Sequence, residues 1–341
     1  MRHPSTRLAL CALAAALVIA TAMEVSIGPM SIPVAKLIPD TLAYLHGVRS
    51  GDAVVMGAIR WPRALVAILV GAGLASTGAV LQAVFRNSMA DPAVIGVSSG
   101  ASLGAVLTIQ VGLAKLNVWA TPVGAFLSGL VVVYVIYRLA TLQGRTAIYA
   151  LLLAGVAVSS FCSAMVMLLL SLVPLQTMQE MMFWLMGGLD GTTWTSVWMV
   201  LVFVFAGLAV YGWQAQALDI LSIGEEQAEG LGVPIQTIKQ ILFAMSALVV
   251  GACVSVSGVI AFVGLIVPHL IRMWVGPRHR VLLPASALGG GILLALADLL
   301  GRMALQPVEL NVGVVTSCLG APFFLYLLRR HYKAFERGSR Q

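Results

Sequence analysis

Asp298 and Arg302 lie four residues apart inside an apolar run, a spacing that puts them on one helix face and lets them pair. An ionisable side chain in such a run is a functional candidate by default. With a neutralising partner one turn away, this one argues against a proton relay. Pro268, His269 and Arg272 stand together at the end of another apolar run. A histidine beside a proline reads more readily as a local cap than as a ligand. His269 and Asp298 are the two residues that would tempt a hydrolytic reading, but the alternation of spans puts them toward opposite faces. No GxxxxGK[ST], GxSxG or HExxH occurs, and none of the four lysines follows a glycine. The chain therefore has no recognisable nucleotide site or hydrolytic centre of its own.

The strongest polar feature is residues 218–234, LDILSIGEEQAEGLGVP, which carry Asp219, Glu225, Glu226 and Glu229 and no base. The stretch reads as two short helical turns, broken at Gly224 and stopped by Gly230, Gly232 and Pro234. It reads as a cytoplasmic loop that receives force from a separate motor protein. Acids at a helix start also stabilise that end whatever they contact.

The elements around these residues are membrane spans. Of 341 residues, 60% are hydrophobic and 10% are charged, against about 25% charged in a soluble domain. Apolar runs of 18 or more residues recur along the chain, each able to cross a hydrocarbon core about 30 Å thick. The fold class is an all-α integral membrane protein, read as one transmembrane domain over residues 1–341. Ten spans are expected, near 8–28, 62–85, 94–112, 117–139, 147–171, 193–213, 236–257, 259–275, 281–303 and 309–328. With both termini cytoplasmic, 14 of the 20 Lys and Arg residues fall inside and 6 outside, as the positive-inside rule requires. The net charge of +7 is spread between spans, so it is no nucleic-acid signal. The four cysteines, Cys11, Cys162, Cys253 and Cys318, lie apart in apolar runs and form no metal or disulfide pattern. Arg2 and Arg7 before a run ending Ala20-Thr21-Ala22 resemble a secretory signal; an uncleaved first span is the favoured reading.

Small residues four apart predict close helix packing: Gly71, Ala75 and Ala79 in the second span, and Gly96, Gly100 and Gly104 in the third. Gly71-Ala72…Gly78 and Gly251-Ala252…Gly258 share an offset of 180 residues, in spans running in opposite directions. That suggests an inverted repeat, common in transporters. Asp91 and Pro92 suit the cap and first turn of the third span. Residues 85–92 read either as a plain turn or as a gate at the inner mouth. A short outer helix is expected near Val34–His46. Arg60-Trp61-Pro62-Arg63 reads as an interfacial anchor or as a docking site for an acidic partner. Met178, Met181, Met182 and Met186 beside Trp184 read as an interfacial helix or as a surface for a flat apolar ligand. Mid-span regions without charge count against an ion-gradient-driven transporter of a metal or small solute, the main alternative.

Several motifs together resemble the permease subunits of ABC importers for ferric siderophores, haem and vitamin B12. They are Arg60-Trp-Pro-Arg63 leading into LVGAGLASTGAVLQAVFRN, ADPAVIGVSSGASLGA at 90–105, LSIGEEQAEGLGV at 221–233, SGVIAFVGLIVPHLIRM at 257–273 and ELNVGVVTSCLGAPFFLYLLRR at 309–330. The resemblance implies a homodimer, two cytoplasmic ATPase subunits that carry the ATP and Mg, and a periplasmic substrate-binding protein. It implies no cofactor on this chain. It assigns ATPase coupling to Asp219, Leu221, Ser222, Gly224, Glu225, Glu226, Ala228, Leu231 and Gly232. It makes Arg60, Arg63 and Arg302 the outer cations that meet acids on the binding protein. It maps an inner gate onto Asn87, Met89, Thr146 and Ala147, of which Met89 and Ala147 depart from polar gate residues. The resemblance implies an iron complex or cobalamin as cargo, and the methionines with His46 tilt the choice toward haem.

Overall fold

The computed structural model describes residues 6–338 apart from positions 29, 31, 49, 144 and 233. Arg2, Arg49 and Arg340 of the charge count, and Val233 of the acidic stretch, lie outside the described residues.

The chain is a bundle of helices: α1 (Thr6–Ser26), α2 (Leu37–Leu45), α3 (Gly51–Val54), α4 (Trp61–Val84), α5 (Val97–Gln110), α6 (Leu113–Leu116), α7 (Ala120–Ala140) and α8 (Ile148–Ser171). It continues with α9 (Leu175–Leu185), α10 (Trp194–Trp213), α11 (Ala215–Leu221), α12 (Glu225–Gly230), α13 (Ile235–Ser257), α14 (Val263–Val275), α15 (His279–Met303) and α16 (Val312–Gly338). One antiparallel hairpin, β1 (Thr141–Leu142) with β2 (Arg145–Thr146), joins α7 to α8.

Among the described residues, seven segments are long and apolar enough to cross a membrane: α1, the continuous Gly51–Val84, α7, α8, α10, α13 and α15. The remaining expected spans have shorter apolar helices, in α16 only the part Val312–Leu327. α5 has 14 residues and α14 has 13, and both start later than the apolar pattern suggests. Gly96, at φ +79°, separates α5 from a 3₁₀ turn over Pro92–Ile95, and Asp91 caps that turn by accepting the Ala93 N–H at 2.8 Å. Gly258 (φ +65°) and Phe262 (φ +68°) break the chain between α13 and α14. Irregular backbone at membrane depth survives only where protein covers it. Here Gly188 N–H donates to the Ser257 carbonyl and Gly313 N–H to the Gly187 carbonyl, both at 2.9 Å.

α4 is the central helix, 83% buried across its apolar window, while α8 is 22% buried and turns most of its surface outward. The glycines explain how α4 is packed. A Cβ on Gly71 would lie 2.2 Å from the Gly290 carbonyl oxygen, so α4 and α15 meet backbone to backbone. A Cβ on Gly104 would lie 2.3 Å from the Gly124 carbonyl oxygen, and α5 meets α7 the same way. The two glycine pairs read as a repeat do different jobs. Gly71 and Gly78 sit mid-helix against backbone, whereas Gly251 faces the Phe126 ring and Gly258 ends a helix at positive φ.

Candidate functional sites at the two ends of the bundle

At one end, α11 and α12 form the two expected turns of the acidic stretch. Its acids are less available than the sequence suggests. Asp219 Oδ1 accepts the His279 backbone N–H at 2.9 Å and lies 2.6 Å from His279 Nδ1. It thus caps the first turn of α15 from outside the helix. Lys239, 1% exposed at the start of α13, donates from Nζ to Glu225 Oε2 at 2.7 Å. Leu221 and Ala228 are buried, while Ser222 and Gly232 are exposed and Gly224 is buried. The side chain of Glu226 lies outside the described residues. What the loop presents outward is apolar: Ile223 and Leu231 are each 69% exposed. Ile223 was not among the expected coupling residues. An isoleucine inside the only acidic stretch was the available signal.

The same end holds the expected gate. Asn87 Oδ1 accepts the Met89 N–H at 2.9 Å, which closes the turn after α4. Asn87 and Met89 line a cavity of about 370 Å³ with Ile148, Tyr149 and Leu152 at the start of α8. Thr146 does not reach it. Its hydroxyl is 2.9 Å from Thr141 Oγ1, and its N–H donates to Gln236 Oε1 at 3.1 Å. The hairpin pins Thr146 inward, and Ala147 is exposed beside it. The residues that face Asn87 and Met89 across this cavity are Ile148 and Tyr149.

At the other end stand the three arginines, and here the expectation of exposed cations is overturned. Arg60 is 7% exposed and Arg302 5%. Arg60 donates from Nη1 to the Val25 and Ser26 carbonyls at 2.7 and 2.8 Å, and from Nη2 to the Met30 carbonyl. Arg302 donates to the Glu24 and Ile27 carbonyls at 3.0 and 3.1 Å. The last turn of α1 leaves carbonyls without helical partners, and the two guanidiniums satisfy them. Arg302 also pairs with Glu24 Oε1 at 2.6 Å and with Asp298 Oδ2 at 3.0 Å, the pairing expected from their spacing. Arg63 grips Asp298 with two bonds, at 2.9 and 3.0 Å, then reaches Asp190 at 2.7 Å and Glu309 at 3.2 Å. Two parallel bonds to one carboxylate make the strong form of this pair. The outermost charges are acidic: Asp190 is 60% exposed and Glu309 37%.

Glu24 is the residue that the sequence reading passed over. It is 2% exposed inside α1. A single acid in an apolar run was a sufficient signal.

Beside this cluster opens a cavity of about 450 Å³ lined by Trp119, Glu180, Trp184, Asp190, Ser257 and Asn311 among others. The methionines do not share one surface there. Met181 is fully buried against Val106, Ile109 and Val166, while Met182 and Met186 are exposed. His46 is not among the cavity's lining residues, and its Nδ1 lies 2.7 Å from the Leu42 carbonyl. The tilt toward haem thus loses its footing. No group of three metal-ligating side chains occurs among the described residues.

The sequence profile of the FecCD transport family matches residues 16–330. The chain belongs to the FecCD transport family. A cobalamin import system permease protein of Halobacterium salinarum is 44% identical to this FecCD chain over 293 residues, covering 85% of it and 78% of the relative. A hemin transport system permease protein of Yersinia pestis is 41% identical over 275 residues, covering 80% and 82%. Among solved structures, an inward-facing metal-chelate type ABC transporter superposes with a TM-score of 0.83 at 30% identity, covering 95% of this chain and 99% of that one. As a FecCD-family permease with several apolar helices, the chain is a multi-pass protein of the inner membrane.

Proposed function

We propose that this FecCD-family chain is the translocation subunit of an ATP-driven importer, and that its cargo is a bulky metal chelate of the cobalamin–haem–siderophore class. The observation that carries the reading is its 44% and 41% identity, each over four-fifths of the chain or more, to permeases of cobalamin and of hemin import. Ten helices cross the membrane with both termini in the cytoplasm, the short α5 and α14 completing their crossings through the irregular segments before them. The two halves form an inverted repeat. The chain works as a homodimer with two ATPase subunits, which hold the ATP and Mg, and a periplasmic binding protein.

In this reading α11 and α12 are the coupling helices. Exposed Ile223 and Leu231 enter a groove on the ATPase, and Asp219 and Glu225 anchor the loop to the bundle. Closure of the ATPase dimer then moves the loop, and the spans rock between outward-open and inward-open forms. Cargo and nucleotide must each favour one of those states for this to work. The cavity beside Asp190 lies on the periplasmic side and Asn87 and Met89 on the cytoplasmic side. The arginine cluster supports the periplasmic mouth, and the acids beyond it, Asp190 and Glu309, face the binding protein.

Buried Asp298 speaks against an ion-gradient motor: Arg63 and Arg302 hold its carboxylate, so it does not stand ready as a carrier of protons. Uptake by vesicles containing the assembled complex, with cobalamin, haem and a ferric siderophore compared side by side, tests the reading. Transport of none of the three sinks it.

A further inference from the structure

α15 is tied by polar contacts near both of its ends, and the two ties lie at opposite faces of the bundle. At its first residue, Asp219 of α11 takes both the backbone N–H and the Nδ1 of His279, at 2.9 and 2.6 Å. At the far end, Asp298 and Arg302 hold α1 through Glu24 and α4 through Arg63, and Arg63 continues to Asp190 and Glu309. Nineteen positions separate His279 from Asp298, about 28 Å of helix. Between the ties, α15 lies on α4 through Gly290 and Gly71, backbone against backbone. Ala75 and Ile68 of α4 pack against Gly290 and Gly291 at that point. The Glu225–Lys239 tie leads elsewhere, into α13.

We propose that His279 is the positioning residue through which the acidic loop moves α15, and that α15 carries this motion to the Arg63–Asp298–Arg302 cluster at the opposite mouth. The inference rests on residues 218–234 being the ATPase-docking loop. A contact made at two points on one residue resists both pulling and twisting. The carboxylate also sits at the helix start, where the aligned peptide dipoles favour negative charge. The cluster at the far end joins α1, α4, α15 and the loops carrying Asp190 and Glu309, so displacement of α15 disturbs all of them together.

The test uses the full complex in vesicles with two variants, His279→Phe and His279→Asn. Phenylalanine keeps a ring in a site that is 3% exposed but removes the bond to Asp219. Asparagine loses ring volume but keeps an N–H donor near the position of Nδ1. Two quantities are read: cargo moved per ATP hydrolysed, and the ATP-induced change in hydrogen exchange at residues 187–193 and 304–311. His279→Phe is expected to hydrolyse ATP but move about tenfold less cargo per ATP, with the exchange response at the far mouth lost. His279→Asn is expected to keep both. A site that matters only for packing gives the reverse order, with phenylalanine the better substitute, and that result overturns the proposal. So does an unchanged coupling ratio in both variants, or equal loss in both with the exchange response intact. Failure of the underlying reading shows separately, as parent complex that transports without its ATPase subunits.

Discussion

Lys239 Nζ lies 2.7 Å from Glu225 Oε2, and the lysine is buried at 1% exposure while its partner is 30% exposed. The acid that opens the second turn of the loop is thus held by a cation sunk into α13. Removing one partner of a buried pair leaves an uncompensated charge, which costs more than the pair contributes. Glu225→Gln is expected to destabilise the protein by about 2 kcal/mol, less than for a fully buried pair because water reaches the glutamate. The double variant Glu225→Leu/Lys239→Met recovers most of that loss. Thermal unfolding in detergent checks both, and a double variant worse than the sum of its singles contradicts this account.

In the proposed reading, outward-facing Ile223 and Leu231 give the ATPase contact its apolar centre. Ile223→Glu/Leu231→Glu is expected to lower ATPase affinity at least tenfold, in the range of an interface hot spot, with the unfolding midpoint unchanged. Glu226→Lys alone is expected to weaken the same contact. Pull-down of the ATPase by purified variants reads both. Binding at the parent level by the double variant removes this face from the interface.

Arg60, Arg63 and Arg302 work inside the protein. Arg63→Ala leaves Asp298, which is fully buried, with Arg302 as its remaining cation. It is expected to destabilise by about 3 kcal/mol. Adding Asp298→Asn to that background restores part of the loss. The diagnostic is that the effect is present without any binding protein and changes little with salt, since buried pairs are screened weakly. An effect seen only on binding-protein affinity and abolished by salt returns the arginines to the surface role.

Gly71→Ala places a methyl group against the Gly290 backbone, which cannot rotate away. Overpacking of this kind is expected to cost about 2 kcal/mol, whereas the same change at Gly212, where a Cβ meets nothing within 4 Å, is neutral or mildly stabilising. Folded yield after extraction distinguishes the two.

The helices were legible in the sequence because apolar length and the Gly/Pro stops are local. The acidic loop, the outer short helix and the Asp298–Arg302 pair follow from the same kind of local signal. What the sequence hid was long-range pairing. Arg63 meets Asp298 across 235 positions and Arg302 meets the Glu24 carbonyl across 278. Nothing in the pattern around Arg60-Trp61-Pro62-Arg63 distinguishes a cation facing water from one folded back onto a helix end. The hydrogen bond from Thr146 to Gln236, 90 positions away, was hidden for the same reason. The late starts of α5 and α14 were hidden because Gly96 and Phe262 take left-handed backbone only in their folded surroundings.

The central claim is that an external ATPase drives cargo through this bundle by way of residues 218–234. Uptake of cobalamin or haem into vesicles containing the permease, with and without its ATPase subunits and Mg-ATP, tests it most directly. The account predicts accumulation only when the ATPase and Mg-ATP are both present. Accumulation by the permease alone under a proton or sodium gradient contradicts it.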